Sequence, residues 1–211
     1  MSTRVKLGFV TFLTVVRFPL VLLFFAAAVV YEVFSPSAWI FVFAFVSLIA
    51  SAVTDLFDGY FARRFQVETQ FGAHADPLMD KFFYLATFPL LVFVSSAGGS
   101  RTHAVVLLVL TALFLMRDQW VTFLRSIGSI YNVPGNANWS GKLRTSITFP
   151  LICCIYFYVE SPRPFIPGWF VYAFEAFAFI INVISLFVYT RTYWPYLRRA
   201  TEMEEKADRP T

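Results

Sequence analysis

Four aspartates stand at helical spacing on either side of a short polar segment. Asp55 and Asp58 are three residues apart, and Asp76 and Asp80 are four residues apart, so each pair lies on one helical face. If the two helices form a hairpin, four like charges meet, and two carboxylates about 4 Å apart repel by roughly 4 kcal/mol at an effective dielectric of 20. Hard oxygen donors, with no Cys or His at comparable spacing, favour Mg²⁺, Mn²⁺ or Ca²⁺ over Zn²⁺. The spacing predicts a site for one or two divalent cations; the alternative is that the acids cap helices at the water interface.

The residues between the two aspartate pairs point to a phosphate-bearing substrate. Gly59, Ala62 and Gly72 leave a surface with little side-chain bulk. Arg63 supplies a fixed positive charge of the kind that pairs with phosphate. Taken singly, each glycine is more typical of a packing or turn position, and only the ensemble indicates a substrate bridged by metal.

A second group of charged residues in the other half of the chain is basic. Arg117 and Arg125 are eight residues apart and share a helical face, and Lys142 and Arg144 follow. Arg117 lies in an apolar run, where a lone buried arginine is costly. The group indicates a pocket for a second phosphate, carried by an acceptor. The alternatives are an Arg117–Asp118 pair or a lipid contact, with Arg144 as an interfacial anchor of its helix.

The composition indicates the class of protein that contains these charged residues. Of 211 residues, 58% are hydrophobic and only 14% are charged, with a mean hydropathy of +0.66, whereas soluble domains carry about 25% charged residues. The 27 Phe exclude a disordered chain. The two cysteines, Cys153 and Cys154, are adjacent and exclude a disulfide scaffold. The chain is therefore predicted to be an integral membrane protein.

Six apolar runs predict six transmembrane helices and an all-α fold, since the runs lack the alternation of a barrel strand. They cover approximately residues 7–31, 38–61, 82–98, 103–124, 146–160 and 168–190. The first run also resembles a signal peptide, but Arg17 interrupts it and we favour a retained helix. We expect a single catalytic domain over residues 1–199 and a disordered charged tail over residues 200–211.

Most of the 17 Lys and Arg residues fall at the termini and at alternate joints. The positive-inside rule then places both termini in the cytoplasm and the aspartates, as the active site, at the cytoplasmic boundary. The sequence pI of about 9.2 indicates contact with anionic lipid headgroups rather than nucleic acid. We expect a multi-pass protein of the bacterial inner-membrane or plasma-membrane type.

The aspartate segment resembles the CDP-alcohol phosphotransferase family. Its signature is matched at every fixed position by Asp55-x2-Asp58-Gly59-x2-Ala62-Arg63-x8-Gly72-x3-Asp76-x3-Asp80. The resemblance implies six membrane helices, a two-metal site with Mg²⁺ or Mn²⁺, displacement of CMP from a CDP-linked donor, and a homodimer. It also implies that all four aspartates hold the metals and that Asp80 takes the proton from the attacking hydroxyl. The donor-binding residues would be Gly59, Ala62, Arg63 and Gly72.

Further features resemble the phosphatidylglycerophosphate synthases within that family, from about residue 10 to about residue 150. They are Leu13-Thr14-x2-Arg17, Asp76-Pro77-Leu78-x-Asp80-Lys81, Arg117-Asp118, Leu124-Arg125 and Gly141-Lys142-Leu143-Arg144-Thr145. This resemblance implies CDP-diacylglycerol and sn-glycerol 3-phosphate as substrates, with Arg117, Arg125 and Lys142 gripping the glycerol phosphate. Two departures, Val10-Thr11 in place of Pro-Asn and Asp118 in place of Glu, leave the acceptor open.

Two alternatives remain at this point. Another member of the family would use a cardiolipin-forming, inositol-phosphate or serine acceptor. A divalent-cation transporter would also have membrane acids, but transport sites usually lie near the bilayer midplane between repeats. The acids here are predicted at a boundary, and no internal repeat is evident.

Overall fold

The computed structural model describes residues 3–34, 36–65, 70–133 and 139–207, without the side chains of residues 3–4, 56, 62–63, 70–77 and 202–207. The described residues form helices joined by short turns, as the all-α prediction requires. In order, the helices are α1 (Thr3–Val33), α2 (Ala38–Phe65), α3 (Gln70–Ala97), α4 (Arg101–Ile130), α5 (Trp139–Glu160) and α6 (Gly168–Ala207).

Within these described ranges, five helices contain segments long and apolar enough to cross a membrane. The segments are Val5–Val33, Ala38–Phe61, Leu78–Ala97, Arg101–Ile130 and Gly168–Thr201. The remaining helix, α5, has 22 residues and carries Lys142, Arg144 and Glu160. The structure therefore supports an integral membrane protein, while the sixth span stays a prediction.

Several helices continue beyond the apolar runs that predicted them. Helix α3 begins at Gln70 and α5 at Trp139. The first turns of these helices are polar, so the search for apolar runs did not include them. Helix α6 continues through Ala207, so the first part of the tail that we predicted to be disordered is helical; Glu, Met, Lys and Ala are strong helix formers. Residues 208–211 lie outside the described residues.

The chain divides into two compact units. The first contains residues 1–108 and 152–171, and in it α1 packs against both α2 and α3. Fully buried Ala28 and Ala44 allow close approach of helix backbones. Phe24 of α1 packs edge-to-face on Tyr156 of α5, with ring centroids 5.0 Å apart.

The second unit contains residues 109–151 and 172–211. It contains a cluster of four buried side chains, Val121, Leu124, Tyr189 and Tyr193, which come from α4 and α6. Helices α4, α5 and α6 each contribute residues to both units. The units are therefore not consecutive segments of the chain, and the single domain over residues 1–199 stays a prediction.

Candidate functional site

Three of the four predicted aspartates converge on one arginine in the first unit. Arg17 of α1 donates from one terminal nitrogen to Asp80 Oδ1 at 3.1 Å and from the other to Asp58 Oδ2 at 2.9 Å. The second nitrogen also forms an ion pair with Asp55 Oδ1. The prediction that a hairpin gathers these acids is consistent with this geometry, since Asp55 and Asp58 lie on α2 and Asp80 on α3.

The side chains of the acid cluster differ in their exposure to solvent. The Arg17 side chain is fully buried and that of Asp58 is 5% exposed, whereas Asp55 and Asp80 retain 22% and 30% exposure. Thr14 Oγ1 lies 3.2 Å from Asp58 Oδ2 and 3.3 Å from the Val10 carbonyl, so its single proton serves one acceptor at a time. The cluster is thus closed on the α1 side and open at Asp55 and Asp80.

Sequence reasoning missed the role of Arg17. We treated it as an interruption of the first apolar run and argued that clustered aspartates require bound cations. The structure corrects that argument, because a guanidinium from the protein itself neutralises part of their charge. The signal was present in the Leu13-Thr14-x2-Arg17 motif, since Thr14 and Arg17 lie one turn apart and both reach Asp58.

The side chains of several predicted donor-site residues lie outside the described residues. They are Asp76, Ala62, Arg63 and Gly72. The backbones of all four are helical, in α2 or α3. Gly59 is described and lies next to Asp58 in α2. The predicted roles of these residues remain predictions.

The chemistry of the acid cluster suits a hard divalent cation. Asp55, Asp58 and Asp80 present carboxylate oxygens to one cationic group, and carboxylates are the donors that Mg²⁺ and Mn²⁺ prefer. Three carboxylates facing one guanidinium leave an excess of negative charge. Among the described side chains, no group of three or more His, Cys, Asp or Glu is arranged to hold a metal ion, and Asp76 is not among those side chains.

A second charged cluster lies in the second unit and is basic. Asp118 Oδ1 of α4 forms ion pairs with Arg117 at 3.1 Å and with Arg144 of α5 at 3.0 Å. Arg144 also donates from Nε to Asn182 Oδ1 at 2.9 Å, and Arg117 donates to Ser185 Oγ. Both arginines are buried, so α4, α5 and α6 together hold their guanidinium groups in place.

Arg125 joins the basic cluster through Tyr189 of α6. It donates to Tyr189 Oη at 3.0 Å, and its Cζ lies 5.5 Å from the centroid of that ring. Arg117 Cζ lies 4.9 Å from the same centroid. The prediction that Arg117 and Arg125 share one helical face is therefore matched by a shared contact.

The structure distinguishes Lys142 from Arg144. We predicted that Lys142 contacts a phosphate, and for Arg144 we left open the alternative that it anchors its helix at the interface. Arg144 is the buried member of the cluster, whereas Lys142 is exposed. Two residues along a helix correspond to a rotation of about 200°, so the two side chains leave α5 in nearly opposite directions.

The basic cluster carries an excess of positive charge, because three arginines accompany one aspartate. The Nε atoms of Arg117 and Arg125 are buried without a hydrogen-bond partner among the described residues. Fixed guanidinium groups recognise phosphate through charge-assisted hydrogen bonds. The arrangement can therefore bind an anionic group such as a phosphate.

The comparison with protein families agrees with the motif. The model of the CDP-alcohol phosphatidyltransferase family matches residues 9–191 of the chain. No solved structure matches the chain significantly.

Several curated relatives carry one name, CDP-diacylglycerol–glycerol-3-phosphate 3-phosphatidyltransferase. The relative from Pseudomonas fluorescens is 26% identical over 93% of this chain and 94% of its own length. The Escherichia coli K12 relative is 27% identical over 72% of this chain and 76% of its own length. The relative from Cereibacter sphaeroides is 34% identical over 48% of this chain and 45% of its own length. Because the family model covers most of the chain, including both charged clusters, the chain belongs to the CDP-alcohol phosphatidyltransferase family.

Proposed function

We propose that this protein transfers the phosphatidyl group of CDP-diacylglycerol to sn-glycerol 3-phosphate and releases CMP. Family membership supports the reaction class, and the names of the relatives specify these two substrates. The observation that carries the choice is the pair of oppositely charged clusters. The carboxylates around Arg17 suit a metal-bound pyrophosphate donor, and the arginines around Asp118 suit a phosphorylated acceptor.

In this mechanism, Asp55, Asp58, Asp76 and Asp80 would hold one or two Mg²⁺ or Mn²⁺ ions. Such ions neutralise charge on a pyrophosphate and stabilise the leaving oxygen. Asp80 takes the proton from the glycerol hydroxyl as its oxygen attacks the phosphorus that bears diacylglycerol. The bond from that phosphorus to the bridging oxygen breaks, and CMP leaves with the electron pair. The partial exposure of Asp80 leaves its carboxylate accessible to a substrate hydroxyl.

Gly59, Ala62, Arg63 and Gly72 would contact the CDP part of the donor. Arg117 and Arg125 would bind the acceptor phosphate, and Arg144 joins them in place of the exposed Lys142. The protein's contribution is then position and electrostatic preorganisation. A glycerol without phosphate forms none of the charge-assisted contacts with the arginines, so we expect poor turnover of free glycerol.

An acceptor panel tests the proposal. Purified protein in detergent receives CDP-diacylglycerol labelled in the cytidine, Mg²⁺, and one acceptor at a time. We expect labelled CMP to be released fastest with sn-glycerol 3-phosphate, and slowly with glycerol, serine, inositol phosphate or phosphatidylglycerol. Faster release with serine or inositol phosphate would assign the protein to another branch of the family. Cation flux into liposomes without any CMP release would favour a transporter.

We further propose six membrane spans, with both termini and the acid cluster on the cytoplasmic side of a bacterial-type inner membrane, and a homodimer. Six spans place the termini on the same side, whereas five would place them on opposite sides. Reporters fused to each terminus, one active only in the cytoplasm and one only outside it, distinguish the two cases. Light scattering of the purified protein measures the number of chains.

A further inference from the structure

Tyr189 of α6 lies between two arginines of α4. Its ring centroid is 4.9 Å from Arg117 Cζ and 5.5 Å from Arg125 Cζ. Its hydroxyl oxygen accepts a hydrogen bond from Arg125 at 3.0 Å. The side chain is 1% exposed, so these contacts form away from bulk water, where cation–π attraction is strongest.

The ring of Tyr189 is itself held from other directions. Tyr193, one turn further along α6, stacks on it with an interplanar angle of 8° and centroids 6.5 Å apart. Val121 and Leu124 pack in the same buried cluster. A Cβ atom at Gly141 of α5 would lie 2.8 Å from Tyr189 Oη, so only glycine leaves room for the hydroxyl at its present position.

This packing restricts two long side chains that would otherwise be mobile. Ordering an exposed arginine costs rotamer entropy, and a preformed site avoids that cost at the moment of binding. Arg117 and Arg125 are each fixed by Tyr189, and each keeps a buried Nε–H without a hydrogen-bond partner among the described residues. Their guanidinium groups are therefore ordered before an anion arrives.

We propose that Tyr189 is a positioning residue that holds Arg117 and Arg125 in the geometry that binds the phosphate of the acceptor. The inference rests on the proposed function, because it assigns the acceptor phosphate to these arginines. In this role Tyr189 acts through the two arginines that it contacts and not on the reacting atoms. Its loss should weaken acceptor binding while leaving the chemical step and the use of the donor intact.

The test compares Tyr189→Phe and Tyr189→Leu with the wild type by CMP release, varying sn-glycerol 3-phosphate and CDP-diacylglycerol separately. Phenylalanine keeps the ring and loses the hydrogen bond, so the KM for glycerol 3-phosphate should rise about tenfold. Leucine removes both contacts, and that KM should rise about a hundredfold. We expect kcat and the KM for CDP-diacylglycerol to stay near their wild-type values.

Tyr156→Leu is the matched control, since Tyr156 is also fully buried but packs on Phe24, Phe41 and Phe45 in the first unit. Size-exclusion profiles and thermal midpoints in detergent show that each variant is folded. The inference is overturned if Tyr189→Leu and Tyr156→Leu raise the KM for glycerol 3-phosphate equally, if Tyr189→Phe leaves that KM unchanged, or if kcat falls with no change in KM. A wild-type enzyme that prefers an acceptor without phosphate would instead refute the proposed function, which is a different result.

Discussion

Replacing Arg17 with methionine tests the acid cluster directly. Methionine is close to arginine in length and retains the apolar contacts of the α1 position, but it removes the cation that contacts Asp55, Asp58 and Asp80. The three carboxylates then lose the positive charge that Arg17 supplies. The variant should be strongly destabilised in the absence of divalent cations and much less so in their presence.

The magnitude follows from the burial of Arg17. Removing one partner of a buried ion pair typically costs 3–5 kcal/mol, because the remaining charge stays desolvated, and we expect about that loss here. For a chain of 150–250 residues, 1 kcal/mol shifts the melting temperature by about 2–4 °C. The melting temperature of Arg17→Met in EDTA should therefore lie about 6–20 °C below that of the wild type.

Intrinsic tryptophan fluorescence of the detergent-solubilised protein measures the transition, since the chain has five tryptophans. Each protein is melted once in EDTA and once in excess Mg²⁺. Added Mg²⁺ should raise the melting temperature of Arg17→Met more than that of the wild type, because ion binding supplies the missing positive charge. Arg64→Met is the control, as Arg64 is exposed and contacts Tyr60.

Two results would refute this reasoning. If Arg17→Met melts at the wild-type temperature in EDTA, the aspartates do not depend on Arg17. If Mg²⁺ raises the melting temperatures of Arg17→Met and of the wild type equally, the carboxylates that contact Arg17 are not the ones that bind the ion.

Three further predictions concern the two clusters. Asp80→Asn should abolish CMP release while CDP-diacylglycerol still binds, because the amide cannot accept the hydroxyl proton; substantial turnover would exclude Asp80 as the base. Arg125→Ala should raise the KM for glycerol 3-phosphate about tenfold or more, whereas exposed Lys142→Ala should change it little; the reverse order would contradict the structural placement. Gly141→Ala should raise the same KM, because the new Cβ would lie 2.8 Å from Tyr189 Oη and would push the hydroxyl away from its present position. A KM unchanged from the wild type would show that the hydroxyl position is unimportant.

Local patterns predicted most of the architecture. Hydropathy located the six helices of the described residues, since each apolar run lies almost wholly within one of them. It missed mainly their polar ends, such as the first turns of α3 and α5. The aspartate pairs were visible because three- and four-residue spacings define a helical face without knowledge of the partner helix. These are properties of a single helix or a single turn, which sequence periodicity reports directly.

The amino-acid sequence alone therefore determined the membrane class, the helix content and the candidate carboxylates. Tertiary structure decided which charges meet. Arg17 is separated from Asp80 by more than 60 positions, and only the packing of α1 against α2 and α3 shows that it enters the acid cluster. Arg144 rather than Lys142 turns inward because α5 faces Asn182 of α6. The spacing of charged residues along the sequence is the same whether their face of the helix is buried or exposed. Only the neighbouring helices establish which face is buried.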